Sequence, residues 1–157
     1  MLYHVVYDGN CNLCVNSVKL LEKLDQGQQF SYVPMQDRAL LDQFGITAQD
    51  CELGIILIDA AQPQQRWQGS TAIEEIGKLL PLGRLFVDAY RALPGAKWTG
   101  DRIYEQVRDN RYALFGGRDS TYQSSYPLCS EACGNSEAHS SSEAHSNSEV
   151  LSSGRDE

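Results

Sequence analysis

Cys11 and Cys14 stand three residues apart in the segment Tyr7-Asp8-Gly9-Asn10-Cys11-Asn12-Leu13-Cys14. That spacing suits reversible dithiol/disulfide chemistry, because residues three apart on a helix lie one above the other on the same face. The attacking form of a thiol is its thiolate, and free cysteine titrates near ~8.5, so the surroundings decide whether the pair reacts. Cys11 falls where a short apolar stretch gives way to a helical pattern. Unpaired backbone N–H groups and the positive end of the helix dipole there favour a thiolate. Gly9 permits a tight turn into that helix. Asp8 reads in two ways, as a proton acceptor beside the pair or as a turn and capping residue, and a carboxylate so close would also oppose a thiolate. The same Cys-x-x-Cys spacing is also compatible with zinc, so a non-catalytic thiolate metal-binding or carrier domain is the alternative reading.

The elements that must position the pair are legible around it. Leu2 to Tyr7 is short, apolar and β-rich, and predicts a strand that turns at Asp8-Gly9. From Cys11 to about Gln26 the period is helical, with Cys14, Val18, Leu21 and Leu24 on one stripe and Gly27 as its stop. That stripe predicts Cys14 as the more buried sulfur and Cys11 as the one at the exposed end. Cys11 is therefore expected to attack, and Cys14 to resolve the mixed disulfide. Phe30 to Val33 predicts a second strand, closed by Pro34. Asp37 is placed to cap a short helix through Leu40, Leu41 and Phe44. The run from Leu53 to Ile58 predicts a central strand, followed by a turn over Asp59 to Gln64 and an edge strand over Gln65 to Gln68. Thr71-Ala72-Ile73-Glu74 fits a capping box for a helix whose apolar face is Ile73, Ile76, Leu79 and Leu80. Two more helices are expected, about Gly83 to Leu93 and about Asp101 to Phe115. The order β-α-β-α-β-β-α plus extra helices predicts an α/β, thioredoxin-like three-layer fold with a mixed four-stranded sheet: a parallel pair first, an antiparallel hairpin after it.

Composition narrows the function classes. The chain has 157 residues and a formal charge of -8, and six of those net negative charges fall after Arg118. The folded part is close to neutral, with no basic stripe for nucleic acid. The longest apolar run, Ile55 to Ile58, is far too short for a bilayer, and the opening residues lack the pattern of a signal peptide. A cytoplasmic location is expected, where thiols stay reduced and cysteines serve catalysis or metals rather than a structural framework. After Gly117 the sequence is rich in Ser, Glu and His, with Ser-Glu-Ala-His-Ser at 136–140 and again at 142–146. Residues 1–117 are read as the domain, and 118–157 as an acidic low-complexity tail expected to be disordered. An interaction module that recruits partners through this tail is a third reading.

Beyond the pair, Cys51 precedes the third strand, as a third redox partner or a small buried hydrophobe. Cys129 and Cys133, with Cys11, Cys14, His139 and His145, offer enough ligands for zinc, or a tail thiol able to exchange with Cys11. Arg111 is expected to cap helix carbonyls or pair with Asp109 or Glu105. Trp67 and Trp98 are read as packing residues and His4 as a structural one.

The opening segment Tyr7 to Cys14 resembles the signature of the DCC family of thiol–disulfide oxidoreductases. Asp101-Arg102-Ile103-Tyr104 and Asn110-Arg111-Tyr112-Ala113-Leu114-Phe115-Gly116 resemble the same family's closing signature. The resemblance covers about Tyr3 to Gly117. It implies a thioredoxin-like fold and dithiol chemistry at Cys11 and Cys14, with Asp8 part of the motif. The resemblance brings no substrate; the dithiol reading itself calls for a disulfide-containing protein or small molecule and, for recycling, glutathione or a reductase, and requires no metal or organic cofactor. The chain departs from thioredoxins proper. Asn12-Leu13 replaces a Gly-Pro pair, no Trp precedes Cys11, and no proline opens the strand near Leu53.

Overall fold

The computed structural model describes residues 1–81 and 83–128. Its elements run β1 (Tyr3–Tyr7), α1 (Asn12–Asp25), β2 (Phe30–Pro34), α2 (Arg38–Gln43), α3 (Ala48–Glu52), β3 (Ile56–Asp59), β4 (Arg66–Gln68), α4 (Ser70–Leu79), α5 (Gly83–Ala92) and α6 (Ala96–Phe115). The four strands form one sheet in the order β2-β1-β3-β4. β1 and β2 are parallel, with Val5 opposite Tyr32; β3 runs antiparallel to both β1 and β4, with Leu57 opposite Val5 and Trp67. This is the thioredoxin-like arrangement expected from the element order.

Alternation along the strands divides the core into two layers. Val6, Val33, Ile56 and Ile58 pack against Leu40 and Leu41 of α2 and Cys51 of α3. Val5, Tyr7, Phe30, Tyr32 and Leu57 pack against Val18 of α1 and Ala72 and Ile76 of α4. The sheet is thus sandwiched between helices. α6 rests on α1, α4 and α5.

Local signals explain most boundaries. The Asp37 side chain accepts a hydrogen bond from Leu40 N at 3.2 Å, capping α2 as expected. Thr47 and Asp50 form a capping box that starts α3, a helix the sequence reading left out. The box expected at Thr71 to Glu74 does not form. α4 begins at Ser70, and Glu74 is drawn instead to Arg91 and Lys97 of the neighbouring helices. α6 starts at Ala96, earlier than the Asp101 expected.

The folded chain continues past Gly117. Tyr122 N donates to Gly9 O at 2.9 Å, Tyr126 packs under Gly27, and Leu128 N donates to Tyr32 O at 3.2 Å. Gly27 has φ +72°, and a Cβ there would collide with the Tyr126 ring, so this position needs glycine on both counts. Two tyrosines and a leucine give residues 118–128 enough apolar surface to dock where composition alone suggested none. The remainder of the expected tail, 129–157, lies outside the described residues.

Candidate active site

The site begins with a turn. As β1 ends, Asp8 Oδ1 accepts the backbone N–H of Asn10 at 3.0 Å, and Cys11 N donates to Asp8 O at 3.3 Å. This folds the chain back so that Cys11 takes the N-cap position of α1, in extended geometry with φ -94° and ψ 123°. A cap side chain sits over the unpaired N–H groups of the first helical turn. Cys11 therefore occupies the positive end of the helix dipole, and Cys14 lies one turn along.

Asp8 is more than a turn residue. Its carboxylate is buried, at 6% exposure, and is gripped from three parts of the chain. Tyr112 OH donates to Oδ2 at 2.6 Å and Arg111 Nη2 to the same oxygen at 3.1 Å, while Gln36 Nε2 donates to Oδ1 at 3.0 Å. Burial works to raise the pKa of Asp8, but hydrogen bonds from Tyr112, Asn10 and Gln36, with the Arg111 charge, outweigh it and hold the group below its ordinary value. Tyr112 is raised to about 12, first by burial and then by this hydrogen bond. Arg111 was expected to pair with Asp109 or Glu105. Those carboxylates are taken by Arg108 and Arg102, and Arg111 reaches Asp8 instead.

The two thiols lie one helical turn apart, close enough for the Cys11 sulfur to act on Cys14. Burial, the neighbouring Cys11 sulfur and the hydrogen bond to it push the Cys14 thiol up to about 12, against the opposing Arg111 charge. Cys14 therefore keeps its proton at neutral pH. Arg111 lies close enough for its charge to act on both sulfurs.

The expected burial order is reversed. Cys11 is fully buried at 0% exposure, whereas Cys14 is only partly covered. Two causes account for this. The segment after α6 crosses the head of α1: Cys11 pairs with Gly117 in an antiparallel bridge, Asn12 N donates to Gly116 O at 3.3 Å, and Arg118 N donates to Asn10 O at 2.8 Å. Cys14, Leu21 and Leu24 stand along one side of α1, with Leu21 partly packed on the sheet core, while Val15 and Val18 supply the fully buried contacts of the helix. That stripe lines a cavity of about 330 Å³ between α1, α4 and α6. Cys14, Asp8 and Arg111 border it, and Cys11 does not. Across the cavity, Tyr104 fits against Gly54 at φ +108°, where any Cβ would strike its hydroxyl.

The other candidates lie elsewhere. Cys51 sits within α3, not in a loop, and packs among Val6, Met35 and Ile56 on the opposite face of the sheet; burial raises its pKa. His4 shares a 2.6 Å hydrogen bond with Ser31 Oγ in the sheet. Trp67 packs beside Tyr3, but Trp98 is 68% exposed, contrary to the packing role expected of it. Among the described residues no group of three or more His, Cys, Asp or Glu is arranged to hold a metal. Cys129, Cys133, His139 and His145, the remaining ligands of the zinc reading, lie outside the described residues. Arg111, Tyr112 and Gln36 are the site residues that spacing did not place. The only sequence signal for the first two was the closing motif.

Fold and site together define a thioredoxin-like protein with paired thiols at the head of its first helix. The chain belongs to the DCC1-like thiol–disulfide oxidoreductase family, whose model matches residues 5–117. It is similar to a chloroplastic DCC family protein of Arabidopsis thaliana, 30% identical over 121 residues, which covers 74% of this chain and 66% of that one, just under two thirds of its length. It is also similar to the Bacillus subtilis protein YuxK, 28% identical over 118 residues, covering 73% of this chain and 82% of the relative. No solved structure gives a significant match. Among the described residues no helix is long and apolar enough to cross a membrane.

Proposed function

We propose that the protein is a thiol–disulfide oxidoreductase that cycles Cys11 and Cys14 between dithiol and disulfide. The observation that carries this reading is the adjacency of the two sulfurs at the head of α1, beside the Arg111 charge. Asp8 acts as a positioning residue. Its carboxylate anchors Arg111 and Tyr112 over the pair, and its backbone carbonyl shapes the turn into Cys11.

The proton held by Cys14 and the N-cap position of Cys11 support Cys11 as the attacking sulfur and Cys14 as the resolving thiol. Cys11 attacks one sulfur of a substrate disulfide, and the other leaves as a thiolate. Cys14 then loses its proton and attacks the Cys11 sulfur, closing the Cys11–Cys14 disulfide and freeing the second substrate thiol. Two molecules of glutathione, or a dithiol reductase, return the pair to the reduced state. For Cys11 to reach substrate, the Gly116–Gly117 crossing must lift from it. A reducing compartment such as the cytoplasm fits Cys11, Cys14 and Cys51, which are free thiols among the described residues.

The test is a pair of variants assayed on a disulfide substrate. Cys11→Ser is expected to abolish turnover, and Cys14→Ser to accumulate a mixed disulfide on Cys11, seen as added mass. Full activity in Cys11→Ser would overturn the proposal. One observation favours the opposite order of attack: Cys14 alone of the two sulfurs borders the cavity. In that case the trapped adduct appears on Cys14 of the Cys11→Ser protein.

A further inference from the structure

The cavity beside Cys14 has walls and a polar end of different character. Leu13, Leu20 and Leu24 of α1 face Ile73 and Ile76 of α4 and Val107 of α6. Leu20, Leu24 and Ile73 remain 58%, 52% and 49% exposed, an apolar surface that the core leaves uncovered. The polar groups gather at one end, where Cys14, Asp8 and Arg111 border the space. Arg111 uses Nη2 on Asp8, yet its Nε–H is buried without a partner.

We propose that this cavity binds the apolar group of the substrate, and that the substrates are low-molecular-weight disulfides carrying an aliphatic or aromatic group next to the sulfur. The proposal rests on the oxidoreductase reading above and adds the substrate class. A volume of about 330 Å³ is at the small end of the range for small-molecule sites, and apolar walls with a few convergent polar groups are typical of them. With its apolar group between α1 and α4, the ligand brings its sulfur to Cys14, the sulfur that borders the cavity, and Cys11 meets it once the Gly116–Gly117 crossing has lifted. Glutathione disulfide, polar and charged, gains little from these walls, so glutathione serves as the recycling thiol rather than, in its disulfide form, as the occupant of this cavity.

The test compares dibutyl disulfide with bis(2-hydroxyethyl) disulfide on the wild-type chain, and binding of dibutyl sulfide, a thioether that cannot be reduced. The expected results are a kcat/KM at least tenfold higher for the butyl compound, and protection of Cys14 from alkylation by the thioether. Each buried CH2 is worth roughly 0.8 kcal/mol, so two of them suffice for a factor of ten. Leu24→Gln and Ile73→Gln are expected to cut the butyl preference several-fold, while Leu53→Gln, exposed outside the cavity, leaves the preference unchanged. Equal kcat/KM for both disulfides, with no thioether protection, overturns the cavity proposal and leaves the oxidoreductase reading standing. Thioether protection without turnover of either disulfide supports the cavity and sinks the oxidoreductase reading. Protection of Cys14 that rises with protein concentration alone assigns the cavity to a second copy of the chain, and also overturns the proposal.

Discussion

The two faces of the sheet carry similar apolar residues to different ends. On the face covered by α2 and α3, Leu40, Leu41, Ile46 and Cys51 close tightly on Val6, Val33 and Ile56, and the cysteine is sealed among hydrophobes. On the face covered by α1, α4 and α6, Val18, Ala72 and Ile76 make the core, while Leu20, Leu24 and Ile73 stand around an open cavity with Cys14 at its edge. Both faces hold cysteine and leucine. What differs is whether the helices leave room beside the sulfur. Cys51 has the core around it; Cys11 and Cys14 have a helix N-terminus, a second sulfur and Arg111.

The largest effect that should follow from this contrast is on turnover. Cys11→Ser is expected to reduce disulfide exchange to background, while Cys51→Ala leaves it unchanged; comparable losses in both would erase the distinction between the faces. Next in size is the anchor of the site. Asp8→Ala leaves Arg111 partly buried without its counter-charge, and such losses cost about 3–5 kcal/mol, measurable by urea denaturation. The same carboxylate has a pH signature. Because its folded pKa is depressed, its stabilisation is complete above the unfolded value near ~3.9 and is lost as pH falls through the folded one. The stability of the wild-type chain is therefore expected to fall more steeply below about pH 4 than that of Asp8→Asn.

Two leucines sharpen the comparison directly. Leu41 is fully buried on the closed face, so Leu41→Ala is expected to cost about 2–5 kcal/mol. Leu24 is 52% exposed on the open face, so Leu24→Ala should change stability by less than about 0.5 kcal/mol. Equal costs would mean that the cavity closes in solution. Cys51→Ala is expected to fall between the two leucines, at about 1 kcal/mol.

Much of this organisation could be read from residue order. The turn at Asp8-Gly9, the helix from Cys11, the Asp37 cap and the antiparallel hairpin follow from local periodicity and turn chemistry, and those signals act over a few residues. The Asp8–Arg111 and Asp8–Tyr112 contacts join residues more than a hundred positions apart, and no local pattern encodes them. The resemblance of both motifs to one family hinted that they belong together, and the structure supplies the reason: the closing motif holds the opening one. The burial of the two cysteines was misjudged for a related cause. A helical stripe reports which residues share a face but not what covers that face. The Cys14–Leu21–Leu24 stripe meets a cavity, and Cys11 is covered by Gly116 and Gly117, residues that carry no apolar side chain to announce the contact.

The central claim is that Cys11 and Cys14 form one redox unit. Equilibrating the protein across a series of glutathione redox buffers, quenching with acid and alkylating the free thiols measures it most directly by peptide mass. The account predicts a two-electron transition in which Cys11 and Cys14 lose their alkylation together and appear as one linked peptide, while Cys51 stays alkylated after unfolding. Independent glutathione adducts on Cys11 and Cys14, with no linked peptide at any potential, would contradict it.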